Sequence, residues 1–205
     1  MNADMDAWLR DDIAEAARLT DWLGRLEETS ALIRRVADHL SDRLASGGRI
    51  LTCGNGGSMC DAMHMAEELS GRFRHDRRAF AAQAISDPAH LTCVANDYGF
   101  EEVFSRGVEA WGREGDVLVA FSTSGNSPNV LRAAAAARAR AMSVIGLLGR
   151  DGGPLAGLCD LSVVVPGTSS DRIQEVHIKI VHLLIEAIER RLVPSNYGPD
   201  DMRAS

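Results

Sequence analysis

The order of elements in this 205-residue chain predicts an α/β fold: a doubly wound, mainly five-stranded parallel sheet flanked by helices, with an N-terminal helical extension. Two observations carry that reading. Short β-rich runs alternate with helical periodicity from residue 47 onward, and parallel strands need such crossovers to return over the sheet. The first 46 residues, by contrast, hold helical spacing and no strand signal. One chain of this length buries one substantial core, so a single domain with appendages is expected.

In order, Trp8, Ile13, Ala16 and Ala17 mark a first helix, and Leu32, Ile33, Val36 and Leu40 a second. Gly47–Gly48 ends them. Strand runs follow at 49–53 (RILTC), 81–86 (AAQAIS), 116–122 (DVLVAFS), 142–148 (MSVIGLL) and 161–165 (LSVVV). Helical stretches lie between them near 58–71, 101–112, 126–141 and 171–193, with a short one at 154–159. The predicted division is 1–46 as helices for oligomerisation, 47–193 as the sheet-bearing domain, and 194–205 (PSNYGPDDMRAS) as a loose tail.

Composition narrows the function. A net charge of −7 argues against a phosphate-backbone binder, so no nucleic-acid partner is expected. The longest apolar stretch, IVHLLIEAI, is interrupted by His182 and Glu186, so no membrane span is expected. Cys53, Cys60, Cys93 and Cys159 form no C-x-x-C pair and read as buried, reduced thiols. The acidic start, MNADMDAWLRDD, lacks signal-peptide order. A cytoplasmic protein is the expectation.

Ligands of open parallel sheets bind beyond the carboxyl ends of the strands. The loop after the first strand, Gly54-Asn55-Gly56-Gly57-Ser58, begins like a dinucleotide fingerprint, but Met59 stands where the third glycine belongs. No lysine is present for a P-loop. What remains is close backbone approach and a helix start. The loop after the third strand, Ser122-Thr123-Ser124-Gly125-Asn126-Ser127-Pro128, offers four hydroxyls and a helix start, with Ser127 as N-cap and Pro128 at the first position. Such groups cradle a phosphate without a cation, although they are also ordinary turn residues.

His64 and Glu68 are four apart on the first crossover helix, hence on one face. They are an acceptable zinc-ligand pair, and equally an ordinary i,i+4 pair. On the last helix Gln174, His177 and His182 are polar in apolar surroundings. Gln174 and His182 are separated by ~12 Å along the axis. Either one metal sits between them, or one is a ligand or catalytic group that the other supports. A core histidine bonded within the fold is the plainer reading of His177.

Taken together, CGNGGS (53–58), DAMHMAEEL (61–69), ANDYGF (95–100), STSGNS (122–127) and RIQEVH (172–177) with His182 resemble the sugar isomerase (SIS) family. More narrowly they resemble the bacterial phosphoheptose isomerases, over about residues 30–193. The resemblance implies interconversion of sedoheptulose 7-phosphate and D-glycero-D-manno-heptose 7-phosphate through an enediol, the first step toward heptose units of surface glycans such as lipopolysaccharide. By position, Ser122, Thr123, Ser124 and Ser127 would hold the phosphate with Ser58. Asn55, Gly56, Gly57, Asn96, Asp97, Glu68 and Gln174 would meet the sugar. His64, Glu68, Gln174 and His182 would bind one Zn²⁺ per subunit, and a homotetramer is implied. Aldose–ketose exchange needs a base and an acid on adjacent carbons; Glu68 and His182 supply that pair. The competing reading is a non-catalytic SIS phosphosugar-binding protein, or one that associates with a replication initiator. Binding alone requires neither Glu68 nor His182 as an acid or base.

Overall fold

The computed structural model describes residues 2–25 and 27–198. Two helices, α1 (Asn2–Arg25) and α2 (Glu27–Ala45), precede β1 (Ile50–Cys53). The chain continues through α3 (Gly57–Ser70), β2 (Ala82–Ala84), α4 (Pro88–Asp97), α5 (Ser105–Trp111), β3 (Val117–Ser122) and α6 (Pro128–Ala139). It ends with β4 (Ser143–Gly149), α7 (Gly153–Ala156), β5 (Leu161–Val165) and α8 (Ser170–Leu192).

All five strands are parallel, in the order β2-β1-β3-β4-β5. β1 and β3 are entirely buried, as strands covered on both faces must be. One core packs α1, α2, α3 and α8 on one face through Leu19, Val36, Leu40, Met65, Leu69, Ile180 and Leu184. The other packs α4, α5, α6 and α7 through Val94, Val108, Ala133, Ala137 and Leu155. Thus α2, assigned from sequence to an extension, shares the core of the sheet. Five consecutive alanines, residues 133–137, lie within α6, where Ala133, Ala134 and Ala137 are buried.

Several expectations need correction. α4 was not predicted: between Asp87, whose carboxylate accepts the His90 amide, and Tyr98 only Val94 is buried, so the periodic signal is faint. The loose tail does not hold for its first residues. Pro194–Asn196 form a 3₁₀ turn, and the Tyr197 hydroxyl donates to Glu189 at 2.6 Å; residues 199–205 lie outside the described residues. All four cysteines are free, but only Cys53 is fully buried, and Cys60 and Cys93 are exposed. Burial pushes the Cys53 thiol up to about 12. Among the described residues no helix is long and apolar enough to cross a membrane.

His177 is the core histidine that its setting suggested. It is fully buried, and its Nε2 lies 2.9 Å from the Leu148 carbonyl, to which it donates as the neutral ring. Desolvation lowers its pKa to about 4, against a small opposing effect of that hydrogen bond. A folded pKa below the unfolded value means that its stabilising contribution is present above about 6.5 and is lost as pH falls toward 4. The loss should reach ~3 kcal/mol. Urea unfolding of wild type and His177→Gln at pH 7.0 and 4.5 should show the stability gap between them narrowing by about 2–3 kcal/mol at the lower pH. A gap independent of pH would contradict the assignment.

Candidate active site

The strand order reverses direction between β1 and β3, and the loops that leave these two strands flank a cleft at that switch point. Its cavity, about 300 Å³, is lined by both loops (Asn55 to Ser58, and Ser122, Thr123 and Ser127) together with Phe121, Ser170 and Gln174. Three helix starts converge here: α3 at Gly57, α6 at Pro128 and α8 at Ser170. None has a side-chain N-cap hydrogen bond. Ser127 occupies the N-cap position of α6, yet its hydroxyl sits 3.4 Å from Ser122 Oγ instead of capping the helix. No lysine or arginine lines the cavity. What could attract an anion here is the ends of three macrodipoles and a set of hydroxyls.

The two loops are tied together. Asn55 and Asn129 exchange reciprocal amide hydrogen bonds of 2.8 Å, so the Asn55 side chain is occupied in joining the loops while the residue still lines the cavity. Ser122 Oγ accepts the Gly125 amide at 3.0 Å, and Thr123 Oγ1 meets Ser170 Oγ at 3.0 Å. Gly125 has φ +63°, and a Cβ there would fall 1.9 Å from the Gly152 carbonyl. Gln174 Nε2 lies 3.5 Å from Ser58 Oγ, and a Cβ on Gly57 would meet Gln174 Oε1 at 2.4 Å. Glycine at 57 is what lets Gln174 lie over the loop.

The second part of the site lies farther along the same groove. α3 and α8 pack side by side, with Ser58 near Gln174 at one end and Glu68 near His182 at the other. His64 Nε2 is 3.0 Å from Glu68 Oε1, and His182 Nε2 is 3.9 Å from Glu68 Oε2. The imidazole rings meet edge-on with centroids 5.2 Å apart. Candidate ligand atoms of all three residues fall within 4.8 Å of one another. The Glu68 side chain is 13% exposed, and its Oε2 is buried without a hydrogen-bond partner. Nearby Asp61 is also buried, and desolvation raises its carboxyl to about 6, partly offset by His64.

Of the residues singled out from sequence, the structure therefore brings Asn55, Gly56, Gly57, Ser58, Ser122, Thr123, Ser127 and Gln174 to the cleft, and His64, Glu68 and His182 into one cluster. Ser124 stays in the loop, where its hydroxyl accepts the Asn126 amide at 3.2 Å, but does not line the cavity. Asn96 and Asp97 are not brought there within one chain. They end α4, which carries them ~15 Å from its start near the strand ends, and they are exposed, Asn96 donating to Asp97 at 2.7 Å. Sequence reasoning missed Asn129 and Ser170. Ser170 begins the last helix and could have been read as a third helix start; Asn129 carries no local signal, because its partner is 74 positions away.

Comparison with known proteins identifies the family. The SIS domain family matches residues 16–149. A phosphoheptose isomerase of Fusobacterium nucleatum is 54% identical over 171 residues, covering 83% of this chain and 88% of the relative. One from Escherichia coli is 52% identical over 186 residues, covering 90% and 97%. The solved phosphoheptose isomerase of Neisseria gonorrhoeae superposes with a TM-score of 0.84 at 40% identity, covering 90% of this chain and 98% of that one. The chain belongs to the SIS-domain family and, within it, to the phosphoheptose isomerases.

Proposed function

We infer that the chain is an aldose–ketose isomerase of phosphorylated heptoses, interconverting sedoheptulose 7-phosphate and D-glycero-D-manno-heptose 7-phosphate. The named relatives give the activity. One geometric observation carries it to the residues: the anion cleft and the His–Glu–His cluster lie in one groove, separated by the eight residues from Gln174 to His182, or ~12 Å. At roughly 1.2 Å per bond, an extended seven-carbon chain puts its phosphorus about 10 Å from C1. A phosphate in the cleft therefore delivers C1 and C2 to Glu68 and His182.

In this reading the helix starts and the hydroxyls of Ser58, Ser122, Thr123 and Ser127 hold the phosphate, with Ser124 keeping its loop in shape. Gln174 and the backbone at Gly56 and Gly57 line the sugar. Glu68, with an unpartnered Oε2 facing His182, removes or returns the proton on one carbon. His182 moves the proton on the oxygen side, and the enediol forms between them. The donor set also fits a metal: two imidazole nitrogens and a carboxylate converge, and Glu68 has one oxygen toward each histidine. His64, Glu68 and His182 would hold one Zn²⁺, which when bound would polarise the carbonyl and stabilise enediolate charge; Gln174, expected from the resemblance as a fourth ligand, lies instead beside Ser58 in the cleft.

A homotetramer is part of the proposal. Met5, Trp8, Leu9 and Ile13 form an exposed apolar stripe on α1, and Met63 and Leu183 are exposed beside the half-open His64 and His182. Closure by neighbouring copies would cover both surfaces and could bring Asn96 and Asp97 of another chain toward the sugar.

With sedoheptulose 7-phosphate the purified protein should form the aldose, and chelation followed by zinc addition should abolish and restore turnover. Glu68→Gln should lower kcat at least 10³-fold with substrate binding retained, a loss of ~4 kcal/mol of barrier stabilisation. Near-wild-type turnover in that variant would refute the base. Light scattering should give four times the 22.1 kDa chain mass; a stable monomer would contradict the assembly.

A further inference from the structure

The segment after α3, GRFRHDRRAF at 71–80, returns along α8 and touches both ends of the acid–base pair. α3 ends at Ser70 with no basic residue in its last turn, so its terminal carbonyls find no cation of their own. Arg77 supplies one. Its Nη2 donates to the carbonyl of Glu68 at 2.5 Å, and its Nη1 to those of Leu69 (2.9 Å), Gly71 (3.1 Å) and Arg78 (3.3 Å). Nε donates to Glu189 Oε1 at 2.7 Å, and both side chains are 0% exposed. The guanidinium carbon lies 4.5 Å from the centre of the Phe80 ring. Glu189 is anchored in turn by the Tyr197 hydroxyl on Oε2.

We propose that Arg77 is a positioning residue for the base: as the cap of α3 it fixes the turn that carries Glu68, and through Glu189 it locks that turn to α8. This rests on Glu68 being the base. Glu189 lies two turns beyond His182 on α8, so one fully buried ion pair sets the spacing between the helices that bear the two proton-transfer groups. The same segment places Phe73 against the His182 ring, with centroids 5.8 Å apart and planes 25° from parallel, and Arg74 bonds Glu186 at 3.0 Å. A guanidinium is required because its planar fork serves several carbonyls and a carboxylate at once, whereas an ammonium is a point charge. The phosphate cleft is at the other end of α3 and does not depend on this cap.

The test is Arg77→Lys in the full-length protein, with Tyr197→Phe as the milder second variant. In Arg77→Lys, kcat should fall at least 30-fold while KM for sedoheptulose 7-phosphate stays within threefold. Amide hydrogen exchange in residues 66–72 should quicken at least tenfold, with β1 and β3 unchanged. Tyr197→Phe should lower kcat three- to tenfold at constant KM, and it decides the matter if the lysine variant does not fold. Unchanged kcat in a folded variant, or KM rising in step with kcat loss, overturns the proposal. If the wild type forms no aldose, the functional reading fails instead, and exchange at 66–72 still reports whether Arg77 caps the helix.

Discussion

The packing of α3 against α8 is the constraint on which the rest depends. Both helices begin at the carboxyl edge of the sheet, so their starts meet at the cleft and their later turns run together along one groove. Ser58 and Gln174 face each other at the first level, and Glu68 and His182 at the second. In the proposed function the groove would act as a ruler, setting the anchoring end and the reacting end of a substrate apart by a fixed number of helical turns. Apolar contacts of Ala62, Met65 and Leu69 with the Ile180–Ile188 face of α8 keep that spacing.

The two ends of the groove use different electrostatics. In the proposed reading the cleft would hold negative charge with amide dipoles and hydroxyls alone, an arrangement of modest affinity that suits a metabolite which must leave. The cluster concentrates titratable groups in a half-buried place, with a carboxylate oxygen lacking a partner. An unsatisfied buried carboxylate oxygen is costly in a structural setting, and the proposed proton transfer would give this one, 3.9 Å from His182 Nε2, a use. His177, five residues before His182 on the same helix, shows the contrast: its ring donates to a backbone carbonyl and sits in the core.

Much of this was legible in the sequence because it is local. The alternation of strand and helix, both glycine- and hydroxyl-rich loops, the His64–Glu68 spacing and the polar residues of α8 all follow from short-range pattern. Long-range pairing was not legible. Asn129 gains its role only from Asn55 across the switch point, and Arg77 only from carbonyls of the helix before it and an acid on the last helix. In sequence Arg77 is one of four arginines in a ten-residue basic segment. α4 was missed because a helix with a single buried residue leaves almost no periodicity. The separation of Gln174 from His182, a difficulty for a single metal when read from spacing alone, becomes the feature that fits a long phosphosugar.

The most direct test of the central claim, that Glu68 and His182 move protons at the end of a phosphate-anchored groove, is the fate of hydrogen at C2. Sedoheptulose 7-phosphate converted in D₂O should give aldose with deuterium at C2, and the remaining ketose should take up deuterium at C1. Both should vanish in Glu68→Gln. Product formed at wild-type rate with protium carried from C1 to C2 and none taken from solvent would mean direct hydrogen transfer without a solvent-exchanging base, and would contradict the account.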